Sequence, residues 1–143
     1  MTNEALRLLE RVHGHLGWLA AAALLHPAIV LRNPRRRARL SAVLSALFAT
    51  AAGALGALIY PGYSRLVRRA VYTASVRYGL LFERKEHLAV AALALAWAGC
   101  LLHLSAEKDV HRARAAHIAF VASAALTTAV ATMGTLIAAF RSF

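Results

Sequence analysis

An all-α integral membrane protein, a four-helix bundle with a short interfacial helix between its second and third spans, is the fold class this sequence predicts. Three observations predict it. Hydrophobic residues make up 60% of the 143-residue chain, which is hard to reconcile with a surface that water must wet. Four mostly apolar stretches approach the ~20 residues that one helix needs to cross a bilayer. The one long connection between them collects tyrosines and arginines, the residues that the headgroup layer favours.

The first stretch covers about 12–31. An apolar, Ala-rich run behind a basic flank also resembles a secretory signal peptide. However, Glu4 and Glu10 sit in the flank, the run has full span length, and His26-Pro27 interrupts the region where cleavage would fall. A retained helix is expected, with Pro27 as the place for a kink. The second stretch covers about 40–60 and has small residues every fourth position, Ala49, Gly53 and Ala57. After it comes the connection 61–86, with Tyr60, Tyr63, Tyr72 and Tyr78 in it or at its edge, among Arg65, Arg68, Arg69, Arg77, Arg84 and Lys85. Its centre, about 64–78, reads as the interfacial helix lying flat on the membrane. The third stretch covers about 87–104. The fourth, about 115–140, repeats small and hydroxyl residues at Ser123, Thr127, Ala131, Thr135 and Ala139, a pattern that permits close helix contact. The whole chain, 1–143, reads as a single transmembrane domain.

A net charge of +11 would suggest nucleic acid as the partner of a soluble protein, but the cations here cluster at span ends. They read as headgroup anchors, with the lipid bilayer as partner and no nucleic acid. Four spans put both termini on one face, side A. Side A then carries nine Lys and Arg (Arg7, Arg11, Arg65, Arg68, Arg69, Arg77, Arg84, Lys85, Arg141). Side B carries eight (Arg32, Arg35, Arg36, Arg37, Arg39, Lys108, Arg112, Arg114), so charge asymmetry does not select an orientation. Cys100 is the single cysteine, which excludes an internal disulfide and a Cys-based cluster; it reads as a small buried residue. No phosphate loop, Ser/His/Asp set or zincin motif is present.

The histidines carry the functional reading. His15, His26, His87, His103 and His117 lie within or at the ends of the apolar runs, where an imidazole is expensive unless something holds it. Antiparallel spans bring His13, His15 and His87 to side A, and His26, His103 and His117 to side B. Two depths suit two b-type haems, each iron held by two neutral imidazoles from different helices. His15 and His26 are eleven residues apart, close to three turns, so both point the same way, while His13 lies about 200° round from His15. His87 and His103, sixteen apart, are rotated by about 160° and do not share a face. The expected ligand pairs are therefore His15 with His87 and His26 with His117, with His103 as the substitute on side B. Gly14, Gly17, Gly53, Gly56 and Gly99 offer room for a flat macrocycle or for ordinary helix contact.

Four spans with histidines near both faces resemble the di-haem b-type membrane cytochromes of the cytochrome b561 type and, more distantly, the haem-bearing subunits of respiratory complexes. The resemblance is architectural and covers the whole chain. It implies two haems b, an electron relay linked to quinone, and other subunits of a membrane redox complex as partners, with Arg84 and Lys85 meeting haem propionates. On that reading the chain is an electron-transfer subunit of an oxidoreductase rather than a stand-alone enzyme. Two other classes remain open: a haem-free structural or assembly subunit, and a metal or proton transporter using His87 with Glu83 and His13 with Glu10. The Ala- and Arg-rich composition suggests a bacterial source with a GC-rich genome, and the bacterial inner membrane is the expected location.

Overall fold

The computed structural model describes residues 3–107 and 109–139. Phe140, the expected end of the fourth span, and the cations Lys108 and Arg141 lie outside them. Among the described residues every regular element is helical: α1 (Asn3–Val30), α2 (Arg39–Tyr63), a π-helical turn (Ser64–Arg68), α3 (Arg69–Ala74), α4 (Val76–Ser105) and α5 (Val110–Ala139). Among the described residues three helices are long and apolar enough to cross a membrane: the continuous 36-residue unit Arg39–Ala74, then α4 and α5. At 28 residues α1 is also long enough, about 42 Å, but His13, His15 and His26 interrupt its apolar run.

The interfacial helix is where the fold departs from the expectation. Residues 64–74 do not form a separate element; they continue α2 through the π-helical turn, and 76–78 belong to α4. Pro61 sits inside α2 and removes one donor from the ladder, and the backbone continues through one wider turn instead of ending. The break comes later, at Ser75, whose extended backbone (φ −163°, ψ 122°) is the single residue between α3 and α4. The chain then doubles back. Tyr63 stacks on Phe82 with centroids 5.6 Å apart, and the Arg68 guanidinium bridges to the Glu83 carboxylate. Gly79 lies so close to the Tyr72 ring that a Cβ would run into it, which is why the hairpin closes tightly here. Beneath these contacts, Tyr63, Val67, Val71, Phe82 and Ile137 form one buried cluster.

The long helices are arranged with α1 packed on α2 and α5, and α4 packed on the same two, so α1 and α4 take opposite corners. Each neighbouring pair is bridged by a side-chain hydrogen bond. Ser45 Oγ reaches the Ala23 carbonyl (2.7 Å), and Trp97 Nε1 donates to Thr50 Oγ1 (2.9 Å). Ser123 Oγ donates to the Ala92 carbonyl (2.8 Å), and Trp18 Nε1 donates to Thr135 Oγ1 (3.2 Å). Such bonds fix helix register where apolar side chains alone are indifferent to it. The second core, of Leu24, Ala28, Leu31, Ala42, Ala46, Ala96, Cys100 and Phe120 among others, is built largely from alanine, so the helices approach closely. Asp109 begins α5: its carboxylate accepts from the backbone N–H of His111 (2.9 Å) and Arg112 (3.2 Å).

Candidate functional site

The helix phase decides where each histidine points. On α1 the buried residues Leu6, Ala20, Ala21, Leu24, Pro27 and Ala28, continued by Leu31 just past its end, define one stripe. His13 precedes Leu24 by eleven residues, three turns, and therefore faces inward. Its Nδ1 donates to the Ala52 carbonyl of α2 (3.0 Å), and its ring lies where a Cβ on Gly56 would come within 2.9 Å of Cε1. His15 and His26 do share a face, as their spacing requires, but it is the face turned away from the bundle: both are exposed. The expected order is thus inverted, since the inward histidine of α1 is His13.

On α4, Phe82, Ala92, Ala96, Gly99, Cys100 and His103 are buried, whereas His87 is exposed. Its Nδ1 donates to the Glu83 carbonyl one turn back (2.9 Å), as His15 Nδ1 donates to the Arg11 carbonyl (2.7 Å). The carboxylate of Glu83 is paired with the Arg68 guanidinium. Among the described residues no group of three or more His, Cys, Asp and Glu is placed to hold a metal ion.

Near the C-terminal end of α4, His103 is 8% exposed and its Nε2 accepts the backbone N–H of Ala38 (3.1 Å), the residue before α2. That acceptor role uses the lone pair iron would need and places the ring proton of the neutral form on Nδ1. His117 is half-buried, and its Nδ1 is buried without a hydrogen-bond partner. It is the one site residue left with an interior nitrogen to spare.

Haem fit can be judged from these orientations. His15 and His87 stand on opposite-corner helices and are both turned outward, His26 is turned outward while His117 is turned partly inward, and His103 is occupied. Neither expected pair converges inside the bundle, so these residues do not fit two haems enclosed by one chain. Two of the expected glycines, Gly56 and Gly99, are approached by the His13 and Phe120 rings; Gly14 and Gly17 face open space. Arg84 is exposed, whereas the Lys85 ammonium is half-buried over Tyr63 (5.5 Å to the centroid) and Phe82 (5.1 Å), a cation–π arrangement.

The sequence reading missed His13, Trp18 and Trp97 as contact residues. For His13 a signal existed: its spacing to Leu24 and Leu31 marks the core stripe. For the tryptophans none did, because their partners are remote in sequence. Comparison with protein-family models, characterised proteins and solved structures finds no match.

Proposed function

We propose that this chain is a four-span subunit of a larger membrane assembly, docked to a partner's transmembrane helix through the outward stripe of α1, with no haem enclosed in its own bundle. The carrying observation is that His15 and His26 lie exposed on one face of an apolar run. An imidazole facing lipid is costly, and intramembrane ionisable residues are ordinarily turned to a protein interior or a watery cavity. A partner helix laid along this stripe makes that face an interior. The span is supported by the absence of Asp, Glu, Lys and Arg from 12–31 and by the packing of α1 between α2 and α5. The bacterial cytoplasmic membrane is the setting this reading adopts.

A second reading rests on a separate observation. His15 and His87 each donate from Nδ1 to their own helix, leaving the Nε2 lone pair facing outward, as in metal-ligating histidines with a backbone second partner. This favours haem iron shared with a redox partner subunit, the electron relay expected above, with haem supplying one-electron chemistry when bound.

Absorbance spectra, oxidised and reduced, of the isolated chain and of the complex from native membranes separate these readings. The docking reading expects no Soret band in either sample, and a weaker complex on native gels after His26→Leu. A band in the complex alone, lost on His15→Ala, selects the shared-haem reading. A band retained by the isolated chain overturns both.

A further inference from the structure

We infer that the outer face of the α2–α3 unit carries a binding site for the phosphate of an anionic phospholipid, formed by Arg65 and Arg69. This goes beyond the docking of α1 and rests only on the membrane-spanning reading of α2. Leu40, Leu44, Leu47 and Leu58 are exposed along one side of α2. Arg65 follows Leu58 by seven residues, almost two full turns, so it continues that lipid-facing side past the end of the apolar run. At 1.5 Å per residue, Arg65 and Arg69 stand about 7 and 13 Å beyond Tyr60 along the helix. The headgroup layer occupies about 5–7 Å on each side of the hydrocarbon, and an arginine side chain easily spans the remainder.

The local surface suits one phosphate. A shallow, open surface patch is lined by Arg65, Leu66, Arg69, Ala70, Thr73 and Ala74. The arginines are one turn apart on the same face, the small alanines between and beyond them leave the patch open, and exposed Leu66 offers apolar contact to the glycerol end of a lipid. Guanidinium groups bind phosphate oxygens in pairs, so two converging arginines suit one phosphodiester.

Charge selects the anionic class. Among the described residues the hairpin has one ion pair, Arg68 with Glu83. Arg65, Arg69, Arg77 and Arg84 are all exposed with no carboxylate in ion-pair range. A zwitterionic headgroup brings its own cation, whereas an anionic one supplies the missing charge. Exposed Leu66, Val76 and Leu80 among these arginines favour a lipid interface over an acidic protein segment.

The test uses the full chain in nanodiscs of phosphatidylcholine mixed with phosphatidylglycerol, with retained lipids counted by native mass spectrometry. Wild type is expected to retain phosphatidylglycerol preferentially. Each arginine near an anionic surface is worth about fivefold, so Arg65→Gln/Arg69→Gln should lose the preference by about 25-fold. Arg35→Gln/Arg36→Gln removes the same charge on side B and should keep it. Circular dichroism confirms that both exposed pairs leave the helices intact. Equal retention of the two lipids by wild type, or equal loss in the two double variants, overturns the site. Binding of polyglutamate without any lipid preference assigns the face to an acidic protein and also overturns it. A wild-type chain that is folded and monodisperse without detergent removes the membrane reading itself, an outcome distinct from equal retention in discs.

Discussion

Replacing His103 by leucine tests whether one buried imidazole holds the start of α2 in place. The His103 Nε2 accepts the Ala38 N–H, and both residues are buried at the level of the alanine-rich core. Leucine fills a similar volume, so cavity cost is small, but the N–H of Ala38 loses its acceptor away from water. An unsatisfied buried donor costs about 1–3 kcal/mol. The expected loss is therefore about 2 kcal/mol, roughly a 30-fold change in the folded-to-unfolded ratio. SDS titration of the detergent-solubilised protein, followed by circular dichroism, measures it. Two companions sharpen the reading: His103→Gln, whose amide oxygen restores an acceptor, should recover part of the loss, and His26→Leu, on the exposed stripe, should leave the isolated chain as stable as wild type. A His103→Leu protein as stable as wild type, or a His103→Gln protein no more stable than His103→Leu, would refute the assignment.

Gly56→Ala places a Cβ 2.9 Å from His13 Cε1, and because that ring is tied to Ala52, the variant should lose about 1–3 kcal/mol. Much of the loss should disappear when His13→Ala is added, a coupling the same SDS titration detects. Trp97→Phe removes the hydrogen bond to Thr50 and should cost about 1 kcal/mol, with Thr50→Val adding little on top of it. The Asp109 carboxylate is held below the ordinary aspartate range, chiefly by the backbone N–H of Arg112, then by that of His111 and by the Arg112 charge. A depressed folded-state pKa means that its stabilisation is complete above the unfolded value of about 3.9 and lost as pH falls through the lower folded value. Thermal melts from neutral to strongly acid pH should show that loss in wild type and less of it in Asp109→Ala.

The helices themselves were legible because apolar run length is a local property. The runs at 40–60 and 87–104 fall within α2 and α4, the described part of the fourth run, 115–139, falls within α5, and each helix extends beyond its run into residues whose polarity hid their helicity. The hairpin shows the limit of that signal. Arg65, Arg68, Arg69 and Tyr72 read as an interfacial helix by composition, but whether the backbone breaks before them depends on contacts with α4. The Tyr63–Phe82 stack and the fit of Tyr72 over Gly79 keep the helix continuous until Ser75. The histidines show a second limit. Spacing correctly places His15 and His26 on one side of α1, yet periodicity gives only relative angles, and the choice of the inward side is made by which residues pack.

By itself, the sequence determined that this chain is helical, that its long helices suit a bilayer, and which side chains share a helix face, since these follow from apolar length and 3.6-residue periodicity. Tertiary structure alone decided that His13 and His103 turn inward while His15, His26 and His87 turn outward. The physical reason is that a helix presents every angle equally until neighbours cover one of them. Here Ser45, Thr50, Ala92, Gly56 and Ala38, all distant along the chain from their partners, provide that cover.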